Sequence, residues 1–414
     1  MNDLLLCERI RISWFLMNAS HILIRPVGCC WCNIDIVNRL CDVGKQRSVS
    51  RNTYMYLFML LRVLLSRSKL IETSLVKFED IRIKVPWGHI AGRWYGDRNL
   101  RPILAIHGWL DNLGTWDTLI PLLPQHIGIL CIDLPGHGYS SKYPPGLPYH
   151  AMDYVNVIIR VMKEYEWEKV SLLAHSLGSI ISFTYAALFP RTVDMIIAVD
   201  VIKAYYPPVE HAINNLRANA EKMLLEEERI EKLTMYEPPS YTYEQLKQVL
   251  YEGSQRSVEI DNCKYLLSRN ITKSRKFPDK YYFSRDGRVK IYTPFIGWPA
   301  LYLEMAKRIK NVPYLVIKGT KSDYINEDSN EVIDVLRQNN PHFEFHEIDG
   351  THHVHLNNPS ECAAVITPFI NAHRPAMPNS WAVDDDETVL RGNQSRNRNK
   401  NAAKRRLRWL RSKL

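Results

Sequence analysis

The chain has 414 residues, 46% of them apolar, and a formal net charge of +10. That length suits one large core with an insertion better than two large domains, and the apolar fraction excludes a wholly disordered chain. The charge sits at the ends: residues 391–414 hold ten basic and no acidic side chains, residues 1–70 are net +6, and 71–390 are net −6. This distribution excludes a nucleic-acid-binding body as the source of the basic character.

Five of the eight cysteines fall in the first 41 residues, including Cys29, Cys30 and Cys32. No second cysteine pair with zinc-site spacing follows them, so no metal is expected. Cys131, Cys263 and Cys362 are too scattered for a disulfide framework, and the body reads as a reduced, intracellular protein. The apolar stretch Tyr54–Leu61 is interrupted at Arg62 and is too short for a membrane span. Flanked by Arg51, Arg67 and Lys69, it reads as a surface helix, an import segment or a weakly structured extension.

Regular structure begins near residue 75. Leu75–Val85 and His89–Tyr95 read as a hairpin about Pro86-Trp87-Gly88. Short apolar runs follow at Ile103–Ile106, Ile127–Ile132, Val170–Ala174, Met195–Val199, Tyr314–Ile317 and Phe343–Ile348. They alternate with helical patterns such as Tyr154–Tyr165 and Ile180–Leu188. Strands buried on both faces by crossover helices read this way, so the fold class is α/β with a mostly parallel sheet. Between Asp200 and Tyr314 the helix-favouring stretches Val209–Leu233, Tyr243–Tyr251 and Ala300–Ile309 suggest a helical cap. Tyr281–Arg288 reads as a turn inside it. The expected organisation is an extension over 1–74, core over 75–204, cap over 205–310, core over 311–372 and a flexible tail over 373–414.

In a parallel sheet, chemistry belongs at the carboxyl ends of the strands. Ser176 lies there, between a strand and a helix, in Leu173-Ala174-His175-Ser176-Leu177-Gly178. A sharp turn at that point would expose its hydroxyl and aim helix N-terminal amides at developing charge. His352, in Gly350-Thr351-His352-His353-Val354-His355, follows the last strand and is the candidate base, with His353 and then His355 as its competitors. Asp323, past the strand at Tyr314, is the candidate acid that orients it; Asp200, at another strand end, competes for the same role. The order Ser, Asp, His fits one of the three known triad orders. His107-Gly108-Trp109-Leu110-Asp111-Asn112 follows an early strand. The amides of Trp109 and Leu177 are the expected oxyanion donors. Asp111 reads as a structural acceptor and His137 as scaffold.

These motifs, with Trp116, Leu119–Pro124, Asp133–Ser140 and Gly350–Pro359, resemble the α/β-hydrolase superfamily from about residue 75 to 372. The subgroup they are most similar to is the serine hydrolase-like and Kraken-like proteins. The resemblance implies an α/β-hydrolase fold with a cap, Ser176 as nucleophile, Asp323 as acid, His352 as base, and no cofactor. Ser176 stands where epoxide hydrolases and dehalogenases carry aspartate, which argues against those reactions.

The expected activity is hydrolysis of a carboxylic ester or thioester through an acyl-enzyme. A lyase or a ligand-binding protein on the same fold is the alternative, and a scaffold role for the charged ends ranks last. The terminal Ser412-Lys413-Leu414 reads as a peroxisomal address for an import receptor, with cytoplasm or mitochondrion as alternatives.

Overall fold

The structure is a computed structural model that describes residues 77–233, 236–291 and 298–375. The N-terminal extension, its cysteine cluster and apolar stretch, the basic tail and Ser412-Lys413-Leu414 lie outside the described residues.

The core is an eight-stranded sheet in the order β1-β2-β4-β3-β5-β6-β9-β10. Its strands are β1 (Phe78–Val85), β2 (Gly88–Tyr95), β3 (Ile103–Ile106), β4 (Ile129–Ile132), β5 (Val170–His175), β6 (Val193–Val199), β9 (Tyr314–Gly319) and β10 (Phe343–Ile348). β1 and β2 form the expected antiparallel hairpin, β2 pairs antiparallel with β4, and every other pairing is parallel. The sequence predicts these strands because burial on both faces demands apolar residues at every position. β3 and β4 are buried throughout, whereas the edge strand β1 alternates along its second half.

Side chains along a strand point alternately to opposite faces, so each central strand feeds two cores. On β3, Leu104 and Ile106 join one cluster with Val155 and Ile158 of α1 (Ala151–Glu164) and Phe183 of α2 (Leu177–Leu188). Ile103 and Ala105 join the other with Leu113, Trp116 and Phe369, the last from α9 (Pro359–His373). Burying each such Leu, Ile or Phe is worth about 1.5–3 kcal/mol relative to exposure. The two clusters therefore hold the sheet between helical layers and fix where its strand ends lie.

The region between β6 and β9 is mainly helical, with α3 (Val209–Leu233), α4 (Tyr243–Gly253), α5 (Cys263–Leu267) and α6 (Pro299–Arg308). α3 buries none of its residues. α6 packs against α2 and α7 (Asn330–Asn339), so it belongs with the helices that flank the sheet. The sequence did not announce the small antiparallel pair β7 (Ile271–Lys273) and β8 (Tyr281–Phe283). Leu246, Val258, Cys263, Leu266 and Leu267 form a third core with Leu356 of the short helix α8 (Val354–Asn357). The insertion thus rests on the loop that follows β10. Among the described residues, no helix is long and apolar enough to cross a membrane.

One backbone contact sets the geometry of the catalytic face. A Cβ on Gly178 would lie 2.3 Å from the carbonyl oxygen of Ile106 on β3. Gly178→Ala should therefore lower unfolding stability by about 1–3 kcal/mol, the usual cost of overpacking. Urea unfolding of the variant beside the parent protein measures this; an unchanged midpoint would contradict the contact.

Candidate active site

Six parallel strands end on one edge of the sheet, and the candidate residues lie at those ends or on the loops that leave them. Ser176 sits between β5 and α2 with φ 50° and ψ −113°. A positive φ is costly for a residue with a Cβ and is a recognised form of stored local strain. Surrounding bonds hold it: Ser176 N donates to Val199 O at 3.1 Å, and Ser179 N donates back to Ser176 O at 2.9 Å. The first turn of α2 follows, where Leu177 N–H has no place in the helical ladder.

β6 ends beside it at Asp200, also in a left-handed conformation, with φ 59°. Its buried carboxylate accepts a 2.7 Å bond from Gly319 N on Oδ1 and a bond from the Ser322 hydroxyl on Oδ2. His352 Nδ1 lies 2.7 Å from Asp200 Oδ2. The carboxylate can only accept, so Nδ1 carries the proton and Nε2 keeps its lone pair. Burial pushes the His352 imidazole below its ordinary pKa, and the bond to Asp200 works against that shift. The ring also stacks on Tyr324, with centroids 4.0 Å apart.

This arrangement corrects one expectation. Asp323 is exposed, and its recorded bond is through its backbone oxygen, which accepts from Asn326 Nδ2 at 3.2 Å. Its neighbours face the site instead: Ser322 bonds Asp200 and Tyr324 covers His352. The partner of the imidazole is Asp200, from the strand next to the one that carries Ser176.

The competing histidine is used elsewhere. His353 Nε2 lies 3.2 Å from Asp111 Oδ2, and its Nδ1 lies 2.9 Å from Ser257 Oγ. His175, directly before Ser176, completes this group, with Nδ1 3.3 Å from Asp111 Oδ2. Its Nε2 faces the carbonyl oxygen of His352 at 3.1 Å. Burial pushes His175 down to about 3, against the pull of the nearby Asp111 carboxylate. Burial alone would raise Asp111, but His353 and His175 hold it well below the usual carboxylate range. Asp111 is thus the structural acceptor the sequence suggests. No local pattern singled out His175, because a histidine at the end of a buried strand looks like any other core residue.

The loop after β3 is equally tied down. Leu134 N donates to His107 Nε2 at 2.9 Å, so His107 Nδ1 donates to Gly108 O at 2.8 Å. A Cβ on Gly108 would lie 2.7 Å from His175 Nδ1, which explains the glycine there. Trp109 is half exposed, and its Nε1 donates to Val289 O of the insertion at 2.7 Å. Arg269 of the insertion reaches down to the buried Asp133, with Nη2 2.8 Å from Oδ2. His137 is buried beside His107, in the scaffold position expected of it.

The sequence matches the alpha/beta hydrolase fold family over residues 101–359. The chain belongs to this family. A probable serine hydrolase of Drosophila melanogaster is 34% identical over 298 residues, covering 71% of this chain and 88% of its own. A serine hydrolase-like protein of Mus musculus is 32% identical over 311 residues, covering 70% of this chain and 95% of its own. A hypothetical protein of Pseudomonas aeruginosa shares the fold at a TM-score of 0.61 and 24% identity, covering 71% of this chain and 98% of its own. Membership in the α/β-hydrolase family agrees with the strained turn at Ser176 and with the His352–Asp200 pair at the strand ends.

The two carboxylates make a direct comparison. Asp200→Asn should slow covalent labelling of Ser176 by a fluorophosphonate by on the order of 10³–10⁴-fold, since an amide favours the wrong imidazole tautomer. Asp323→Asn should stay within about two-fold, as surface changes usually do. Labelling rates followed by intact mass give both values; the reverse ranking would contradict the site.

Proposed function

We propose that this protein is a serine hydrolase that cleaves a carboxylic ester or thioester through an acyl-enzyme intermediate. The observation that carries this reading is the 2.7 Å His352–Asp200 pair beside a serine held at positive φ. In the proposed cycle, Ser176 Oγ attacks the carbonyl carbon while His352 Nε2 takes its proton. Asp200 stabilises the resulting imidazolium through Nδ1–H. The amides of Trp109 and Leu177 receive the oxyanion, each donor of this kind being worth about 3–4 kcal/mol in the transition state. The intermediate collapses, and His352 returns the proton to the departing alcohol or thiol. The same imidazole then activates water, which releases the acid and restores Ser176. The exposed Trp109 ring, on the loop of a proposed oxyanion donor, favours an apolar acyl chain over a highly charged one.

Incubation with a fluorophosphonate followed by peptide mass spectrometry should place a single adduct on Ser176, and Ser176→Ala should abolish it. Folded protein that takes no label at Ser176 would overturn the reading.

We further propose that Ser412-Lys413-Leu414 directs the chain to peroxisomes through the receptor that reads such tripeptides. A fluorescent protein fused ahead of the chain should enter peroxisomes and should lose that location when the last three residues are removed. A location indifferent to the deletion would contradict this.

A further inference from the structure

The group Asp111, His175 and His353 lies directly behind the proposed catalytic residues, and all three are buried. Each offers one ligand atom, and these atoms all lie within 4.8 Å of one another. The protons in this group do not add up. His175 Nε2 faces the carbonyl oxygen of His352, which only accepts, so Nε2 holds the ring proton. With this ring neutral, Nδ1 presents a lone pair to Asp111, and it has no hydrogen-bond partner. His353 Nδ1 faces Ser257 Oγ at 2.9 Å, and that hydroxyl spends its own proton on Ser254 O at 2.6 Å. Nδ1 therefore holds the proton of His353, and Nε2 turns a second lone pair toward both carboxylate oxygens at 3.2 and 3.3 Å.

Three buried acceptors thus converge with no proton between them. A proton added to His353 would relieve one contact and leave the lone pair of His175 against the carboxylate. A cation at the centre relieves all three. Two of the three spacings already fit one, and the third pair, the two imidazole nitrogens, lies within 4.8 Å; zinc bonds of about 2.0–2.2 Å in a tetrahedral shell place neighbouring donors about 3.4 Å apart. Here Asp111 Oδ2 lies 3.3 Å from His175 Nδ1 and 3.2 Å from His353 Nε2. The outer contacts fit as well, because metal-bound imidazoles characteristically donate their other N–H to a carbonyl or a similar acceptor. Charges facing the group come from several elements. The buried His355 ring lies 4.3 Å from that of His175, and Arg285 of the insertion feels the Asp111 carboxylate through space.

We infer that Asp111, His175 and His353 form a buried site for one divalent cation of the zinc type. The two carboxylate oxygens and two imidazole nitrogens supply up to four donors. Its role is positional. Asp111 lies on the loop of the proposed oxyanion donor Trp109, His175 precedes Ser176, and His353 follows His352. One ion would tie together the three loops on which the proposed mechanism depends. The inference does not rest on hydrolysis, and its test does not read activity.

The full chain is stripped with a chelator, titrated with Zn²⁺ and with Co²⁺, and followed by elemental analysis, thermal unfolding and absorption. The parent protein should take up one ion in this site, unfold at a higher temperature when loaded, and give the visible bands of tetrahedral Co²⁺ without thiolate charge transfer. His353→Gln and Asp111→Asn should lose the ion and the bands. Ser257→Ala leaves every ligand in place and should weaken binding about 10-fold or more, as loss of an outer partner usually does. Three results would overturn the site: uptake that the ligand variants do not change, a cobalt spectrum with thiolate charge transfer only, or folded parent protein that binds neither ion. In the last case a proton on His353 holds the group.

Discussion

The hydrogen bond between Asp200 and His352 is the contact on which the functional arrangement depends. Neither partner is placed by its own neighbours in sequence; 152 positions separate them. They meet because β6 and β10 both run parallel to β9 and lie on either side of it. Three strands in register bring one carboxylate and one imidazole to the same edge. Once there, the carboxylate is kept in place by the N–H of Gly319, the last residue of β9, and by the Ser322 hydroxyl from the loop that follows. A buried charge without such partners would be strongly destabilising. The middle strand therefore supplies no catalytic group itself, yet its loop makes the acid's burial tolerable.

The second constraint is the close approach of β5, α2 and β3. Gly178 brings α2 against the backbone of β3, and Gly108 brings the next loop against His175. These contacts force Ser176 into a conformation that a residue with a side chain avoids, and the surrounding sheet bonds absorb the cost. Ala174 stands two positions before Ser176, where the turn demands a small side chain. Here it is fully buried between Ile106 and Ala198 in the sheet register. The small alanine opposite makes room for the extra methyl. The insertion closes over this face through named anchors: Trp109 to Val289, Arg269 to Asp133, and Asn112 to Leu266.

Much of this was legible in the sequence, for a physical reason. A strand buried on both faces must be apolar at every position, so the central strands could be read nearly to their ends, and β1 and β10 from their alternation. Ser176 was legible because its turn requires small residues at fixed offsets. The acid was not. Asp200 and Asp323 both follow apolar runs, and the choice between them depends on which strand end lies beside the imidazole, which local pattern does not encode. Asp323 also stands beside residues that do reach the site, Ser322 and Tyr324, so its neighbourhood was right and its side chain was not. The β7–β8 pair escaped notice because strands of three residues carry no usable period. The Asp111–His175–His353 group escaped because its members come from three distant segments and look, one at a time, like core or loop residues.

The most direct measurement of the central claim is a crystal structure of the protein inactivated by a fluorophosphonate. It should show phosphorus bonded to Ser176 Oγ, the phosphoryl oxygen about 3 Å from the amides of Trp109 and Leu177, and His352 Nδ1 on the carboxylate of Asp200. An imidazole turned toward Asp323, or a phosphoryl oxygen pointing away from both amides, would contradict the account.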